Sequence, residues 1–354
     1  MATKLTSIFF LLSSLALAVN SCPQSDQAAL LAVKEALNEP YLGIFNSWTG
    51  TDCCNKWYGV SCDPTTGRVS DLNLRGESED PIFEKAGRSG YMTGTILPEI
   101  CKLDGLTNLV IADWKGITGE IPFCIASLTN LRILDFIGNR LTGVIPANIG
   151  NLQKLTVLNI ADNLISGQIP SSIVNIGSLM HLDLRNNQIT GQIPAEFGNL
   201  GMLSRALLSR NRLTGSIPRS ISNMNRLADL DLSMNQLSGT IPDQIGTLPV
   251  LSTLTLDSNR LFSQIPASLL SDTGLNILNV SRNALEGNIP DVFGRKSYFT
   301  ALDLSYNKFT GPVPKSLSSA EYIGHVDLSH NYLCGHIPYG SSPFNHLRAS
   351  FACQ

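Results

Sequence analysis

Residues 155–170 read Leu155-x-x-Leu158-x-Ile160-x-x-Asn163-x-Ile165-x-Gly167-x-Ile169-Pro170. The pattern returns at a fixed interval. Pro122, Pro146, Pro170, Pro194, Pro218, Pro242, Pro266, Pro290, Pro314 and Pro338 are spaced 24 residues apart without a slip. A second series of the same period runs from Asn139 to Asn331. Glycine precedes each of these prolines by three positions, except at Ser263. Each residue type has a physical task. The Leu-x-x-Leu-x-Ile run ends in alternation, which makes a short strand with its apolar side chains turned inward. Asparagine follows where the chain turns off the strand, and its short amide can bond the turning backbone. Glycine permits the next bend, and proline fixes φ in an extended segment.

A period of 24 with this pattern is a leucine-rich repeat. One coil cannot bury its leucines alone, so coils stack and share a core. The expected fold is a leucine-rich repeat solenoid: a curved right-handed superhelix with a parallel β-sheet on its concave face and disulfide-bonded caps. Eleven strand positions follow, starting at Val69 and then near Leu106, Leu131, Leu155, Leu179, Leu203, Leu227, Leu251, Leu275, Phe299 and Ile323. Residues 22–68 are expected to be an N-terminal cap, 69–338 the solenoid with an irregular insertion over 76–90, and 339–354 a C-terminal cap. Three departures stand out. Ala206 takes a leucine position, Trp114 takes an asparagine position with one extra residue before Gly119, and Leu97 takes a proline position.

Composition narrows the function. The 354 residues would suit two or three ordinary domains, but the lattice makes them one continuous body. A hydrophobic share of 43% rules out disorder. A formal charge of −3 leaves no surplus of cations for nucleic acid. Lys4 followed by the apolar run from Ile8 to Ala18 predicts a secretory signal peptide over 1–21, cut between Ala18 and Cys22. No later run is long and apolar enough for a membrane span. The eight cysteines are then expected in an oxidising compartment. The arrangement read from their order is Cys22–Cys53, Cys54–Cys62, Cys101–Cys124 and Cys334–Cys353, with the third pair almost one period apart. In the cap, Ser25 or Asp26 is placed to start a helix running to about Leu37, with Leu30, Val33 and Leu37 on one face.

The cap segment Cys53-Cys54-x-Trp-x-Gly-Val-x-Cys62, joined to Leu-x-Gly-x-Ile-Pro repeats, resembles the plant-type extracellular leucine-rich repeat proteins. That group includes receptor-kinase ectodomains and polygalacturonase inhibitors. Asn73-Leu74-Arg75-Gly76-Glu77-Ser78-Glu79-Asp80, Lys85 to Tyr91 and Ala112-Asp113-Trp114-Lys115-Gly116 lie outside the repeat consensus. They resemble the plant DNA-damage-repair/toleration leucine-rich repeat proteins. The C-terminus departs from the pattern by stopping at Cys353-Gln354.

Function is expected on the strand residues that point away from the core. Val110, Ile133, Ile137 and Val157 are apolar yet face solvent in this reading. Beside them, His181, Asp183, Arg185, Arg205, Leu207, Arg210, Asp229 and Asp231 make a mixed-charge zone with one exposed leucine. Apolar residues beside arginine-rich polar ground are the composition of a protein-binding surface. Asp135, Asp183 and Asp231 read as solvated strand decoration, and only Asp303 and Asp327 are direct neighbours. A carboxylate pair for catalysis is therefore weighed and set aside, as is a metal site at His325, His330 and His336. No catalytic residue, metal or cofactor is expected. Asn279-Val280-Ser281 is a glycosylation sequon on the same face, which would leave repeats two to seven for a ligand.

The expected function is a secreted, non-enzymatic recognition protein of the apoplast or cell wall. It would bind a protein or peptide in defence or development. The resemblance implies a microbial wall-degrading enzyme or a receptor kinase as partner classes. Inhibition of a microbial polygalacturonase is one alternative. The other is the DNA-damage role that the narrower family's name implies, against which the leader, the disulfides and the charge argue.

Overall fold

The computed structural model describes residues 22–77, 90–271, 274–320, 322–335 and 347–348. The expected leader, residues 78–89 of the insertion, His336 and Cys353 lie outside the described residues. So does one half of the expected Cys334–Cys353 pair.

Inward leucines and isoleucines at 24-residue intervals place a strand on every coil. The strands are Val69–Arg75, Asn108–Ala112, Ile133–Asp135, Val157–Asn159, His181–Asp183, Arg205–Leu207, Asp229–Asp231, Thr253–Thr255, Ile277–Asn279, Tyr298–Asp303 and Tyr322–Asp327. They lie side by side in chain order and in parallel within one thirteen-stranded sheet. Val60–Cys62 from the cap pairs antiparallel with the first, and Leu347–Arg348 pairs in parallel with the last. Register neighbours are usually 24 residues apart, as in Val157 beside His181 and His181 beside Arg205. A second, narrower sheet lies where the chain passes the glycines. Its longest part orders Ser238–Gly239, Arg260–Ser263, Ala284–Asn288, Lys308–Pro312 and Tyr332–Cys334. Most prolines of the lattice then lead into a 3₁₀ turn, as Pro170 does into Ser171–Asn175.

The core is one row of side chains per position. Leu155, Leu158, Ile160, Ile165, Ile173 and Ile176 are all buried. Ala206 is fully buried in register between Leu182 and Leu230.

The asparagines tie each coil to its neighbours. Asn187 Nδ2 donates to the carbonyls of Ile160 (2.9 Å), Leu184 (3.2 Å) and Arg185 (3.1 Å). Its Oδ1 accepts from Ile165 N on the preceding coil at 2.9 Å. The pattern repeats from Asn163 to Asn307 with nearly constant distances. Trp114 substitutes for the missing first rung. Its indole Nε1 donates to Leu74 O at 2.9 Å, the carbonyl of the strand before. An indole has no acceptor, so it reproduces the donor half of the asparagine only.

The cap differs from its expected start. The helix runs Gln24–Ala36 behind Pro23, with no side-chain cap bond. Asp26 is buried instead, taking Arg68 Nε and Nη2 at 2.8–3.1 Å and Val69 N at 3.0 Å. The first-turn amides of Asp26 and Gln27 use Pro23 O. The carboxylate is thus committed to fastening the cap to the first coil. Trp48 and Trp57 stack at 5.2 Å within the cap. Cys22 joins Cys53, Cys54 joins Cys62, and Cys101 joins Cys124 across adjacent coils.

Two outcomes test this account. Asn187→Ala leaves Ile165 N buried without its partner and strips one donor from three carbonyls. It is expected to cost about 3 kcal/mol, read as a lower urea midpoint. Ser263 has φ 75°, a conformation that its counterparts Gly239 and Gly287 adopt without a Cβ. Ser263→Gly is therefore expected to raise stability by about 1 kcal/mol, read in the same titration.

Candidate functional site

The concave face is built from three outward columns carried by the long sheet. In the first, Asn108, Ile133, Val157, His181, Arg205 and Asp229 are consecutive register partners. The lattice therefore brings most of the expected site residues onto one surface. Ile133, Ile137 and Val157 are half-exposed, forming a small apolar area.

Val110 and Leu207 do not belong to the exposed set. They are only 8% and 6% exposed. Arg75 explains the first. Its Nη1 reaches Asp113 Oδ2 at 3.0 Å, and its Nη2 reaches Asp135 Oδ2 at 2.5 Å on the second strand along. That bridge crosses the strand that carries Val110. Leu207 lies in register between Asp183 and Asp231. Two ion pairs flank it: Arg185 with Asp183 at 2.7 Å, and Arg205 with Asp229 at 3.0 Å. On a concave surface, long side chains from neighbouring strands converge over a short one.

The aspartates also differ from solvated decoration. Asp135 and Asp183 are 7% and 2% exposed. Each accepts the backbone N–H two residues on: Ile137 N at 3.2 Å for Asp135, and Arg185 N at 3.1 Å for Asp183. Asp231, Asn279, Asp303 and Asp327 do the same for Ser233, Ser281, Ser305 and Ser329. The second column is thus a ladder of Asx turns that shapes the exit from each strand. Sequence reasoning missed this role, although the signal was present: from Asp135 to Asp327 this position is Asp or Asn on every coil except at Leu207 and Thr255, mostly two before a small residue. Asn279, the sequon residue, takes part too, and its Nδ2 donates to Asp257 Oδ1 at 3.2 Å.

Arg210 lies apart from the strand columns. It occupies a rim of left-handed residues comprising Asp162, Asn186, Arg210, Met234, Ser258, Arg282, Tyr306 and His330, all with φ between 50° and 57°. Neighbours on this rim touch. Asn186 donates to Asp162 at 2.7 Å, Arg282 lies 4.2 Å over the Tyr306 ring, and Tyr306 stacks on His330 at 3.9 Å. Arg210, Asp162, Asp231 and Asp257 line one hollow of about 580 Å³. A second, of about 500 Å³, lies at the cap end between Tyr58, Ser61, Asp71, Arg75, Asn108 and Ile133.

Burial is the leading electrostatic influence on this face. It raises the Asp257 carboxyl above the usual carboxylate range, and Asp231 and Asp303 add to that. It raises Asp113 as well, against the pull of Arg75. Burial, followed by the charge of Arg205, holds His181 below the ordinary histidine value of 6.5. The folded protein thus binds the His181 proton less readily than the unfolded chain. Stability from this group is fully present above that pH and is lost as pH falls toward the lowered folded value. His181→Asn is therefore expected to lose less stability than the unaltered protein between about pH 7.5 and about pH 5.5, read by urea denaturation.

Comparison with known proteins agrees with this architecture. The leucine-rich repeat N-terminal domain model matches residues 23–63. Leucine-rich repeat models match 129–189, 153–213, 203–261 and 298–320. The DNA damage-repair/toleration protein DRT100 of Arabidopsis thaliana is 64% identical over 124 residues, 35% of this chain and 33% of that protein. A polygalacturonase inhibitor of Vitis vinifera is 37% identical over 141 residues, 36% of this chain and 38% of that protein. The chain thus spans about a third of the length of these curated relatives. Among solved structures, the Arabidopsis receptor kinase HAESA, in complex with the peptide hormone IDA and the co-receptor SERK1, has a TM-score of 0.68. It is 28% identical, over 93% of this chain and 62% of that one. A plant ice-binding protein has a TM-score of 0.63 at 28% identity, over 90% of both chains. Among the described residues, no helix is long and apolar enough to cross a membrane. The 24-residue lattice, the parallel sheet, the disulfide-bonded cap and these matches together place the chain in the plant leucine-rich repeat protein family.

Proposed function

We propose that this is a secreted, non-enzymatic recognition protein whose concave face binds a protein or peptide in the plant wall space. One observation carries the reading. The half-exposed Ile133, Ile137 and Val157 adjoin a polar zone whose arginines are already paired, Arg185 with Asp183 and Arg205 with Asp229. Arginines fixed by carboxylates are preorganised, so less side-chain freedom is lost when a partner docks. An apolar centre with such a polar surround is the anatomy of a protein interface. HAESA, a neighbour in fold, was solved with a peptide hormone.

A second reading is favoured by the inhibitor relatives: the partner is a microbial polygalacturonase, and binding inhibits it. The name of the Arabidopsis relative supports a third, a part in DNA-damage tolerance. The net charge of −3 weighs against direct contact with DNA.

Affinity purification from apoplastic fluid tests the main reading. A protein partner is expected to be captured by the unaltered chain, and Ile133→Asp is expected to weaken its binding at least about tenfold. Equal capture by Ile133→Asp, or a stronger effect of Asn279→Gln, would move the interface elsewhere. Inhibition of purified fungal polygalacturonase by the protein separates the second reading. A fluorescent fusion found in the nucleus or plastid would favour the third.

A further inference from the structure

The regular lattice is abandoned at one place on the second sheet. Along most of that strip, Thr142, Ser166, Thr190 and Thr214 donate their hydroxyls to glycine carbonyls of the preceding coil, at 3.0–3.3 Å. At the same lattice position, later coils carry Phe262 and Glu286, which have no hydroxyl to give. Ser263 replaces the glycine and keeps a left-handed φ of 75°. Three departures from local preference thus fall together, and such clusters mark places where something other than stability is served.

A hollow of about 560 Å³ opens at this break, lined by Ser263, Gln264, Glu286, Lys308, Thr310 and Tyr332. Glu286 and Lys308 are direct register partners, as are Thr310 and Tyr332. Tyr332 is 67% exposed, the largest exposure among the large apolar and aromatic side chains described. Among the described residues, the side chains of Gln264, Glu286, Lys308 and Tyr332 have no hydrogen-bond or ion-pair partner. The hollow therefore offers one open aromatic ring and a row of unused donors and acceptors.

We propose that this hollow binds a neutral oligosaccharide. A sugar ring has an apolar face of C–H groups that packs on the electron-rich face of an aromatic ring. Its edge carries hydroxyls that both donate and accept. Gln264 supplies both kinds of partner, Glu286 accepts and Lys308 donates. The charges of Glu286 and Lys308 cancel, so the site has no net field to select a charged sugar. From Gln264 to Tyr332 the row crosses about three strand spacings, roughly 14 Å, which suits a chain of sugars better than a single ring. The hollow is open to solvent, unlike the enclosed apolar pockets that hold small hydrophobic ligands. The site is on a different sheet from the concave face and does not depend on it.

Calorimetry on the secreted protein tests the proposal with three probes: cellohexaose, mannohexaose and hexagalacturonate. At least one neutral hexamer is expected to bind saturably, and more tightly than the acidic one. Tyr332→Ala is expected to weaken that binding at least about tenfold, as removal of a stacking ring does elsewhere. Gln264→Ala, also at an exposed position, is expected to weaken it several-fold. Ile133→Asp on the concave face is expected to leave it unchanged, so this site and the concave one fail independently. Circular dichroism and melting temperature establish that each variant is folded. Failure of both neutral hexamers, preference for hexagalacturonate, or full binding by both Tyr332→Ala and Gln264→Ala would overturn the proposal.

Discussion

A hydrogen bond between coils underlies everything else in this molecule. The turn after each strand leaves carbonyls that face inward, where no water reaches them. The side-chain amide of the asparagine is small enough to enter and has two donors and an acceptor. It serves its own turn and the coil before it at once. Without it, stacked leucines would still collapse, but nothing would hold successive turns at one angle. Because that angle is constant, strands fall in register and columns of outward side chains exist at all. Trp114 makes the same point from the opposite side. Where the asparagine is missing, the chain spends its largest side chain to deliver one donor to the same kind of carbonyl.

The outward face combines two tasks that are usually separate. Asp135, Asp183 and their counterparts stand on the surface that a ligand would meet, yet their carboxylates hold the backbone at the strand exit. A ligand therefore meets a surface whose acidic groups are already engaged and cannot rearrange cheaply. The adaptable parts are the rim residue Arg210 and the small apolar area. Specificity on such a face comes from what the first column carries, since the second is largely committed to structure.

Much of the fold was legible because periodicity is a property of order, and order survives without coordinates. The strand positions, the asparagine role and the neighbourhood of Ile133, Val157, His181 and Arg205 all follow from a count of 24. What was not legible depends on the reach of side chains across strands. No pattern along the chain states that Arg75 spans two strands to Asp135 and so covers Val110. The same holds for Leu207 between two ion pairs, and for Asp26, which leaves the helix start to fasten Arg68. The Asx role of the second column was present in the sequence but was overshadowed by the charge of its residues. Charge suggested solvent, whereas the geometry of a short carboxylate favoured the nearest backbone amide.

The placement of the disulfides gives the solenoid a direction. All three described bridges lie at or before Cys124. Each coil touches only its neighbours, so the loss of one coil need not open the rest. Opening costs most where coils are covalently clamped and least where hydrogen bonds and packing act alone. The middle coils, which carry no bridge, should therefore exchange their amide hydrogens faster than the coils clamped at the cap end. Beside the cap the solenoid is stapled, and along its middle it is held coil to coil.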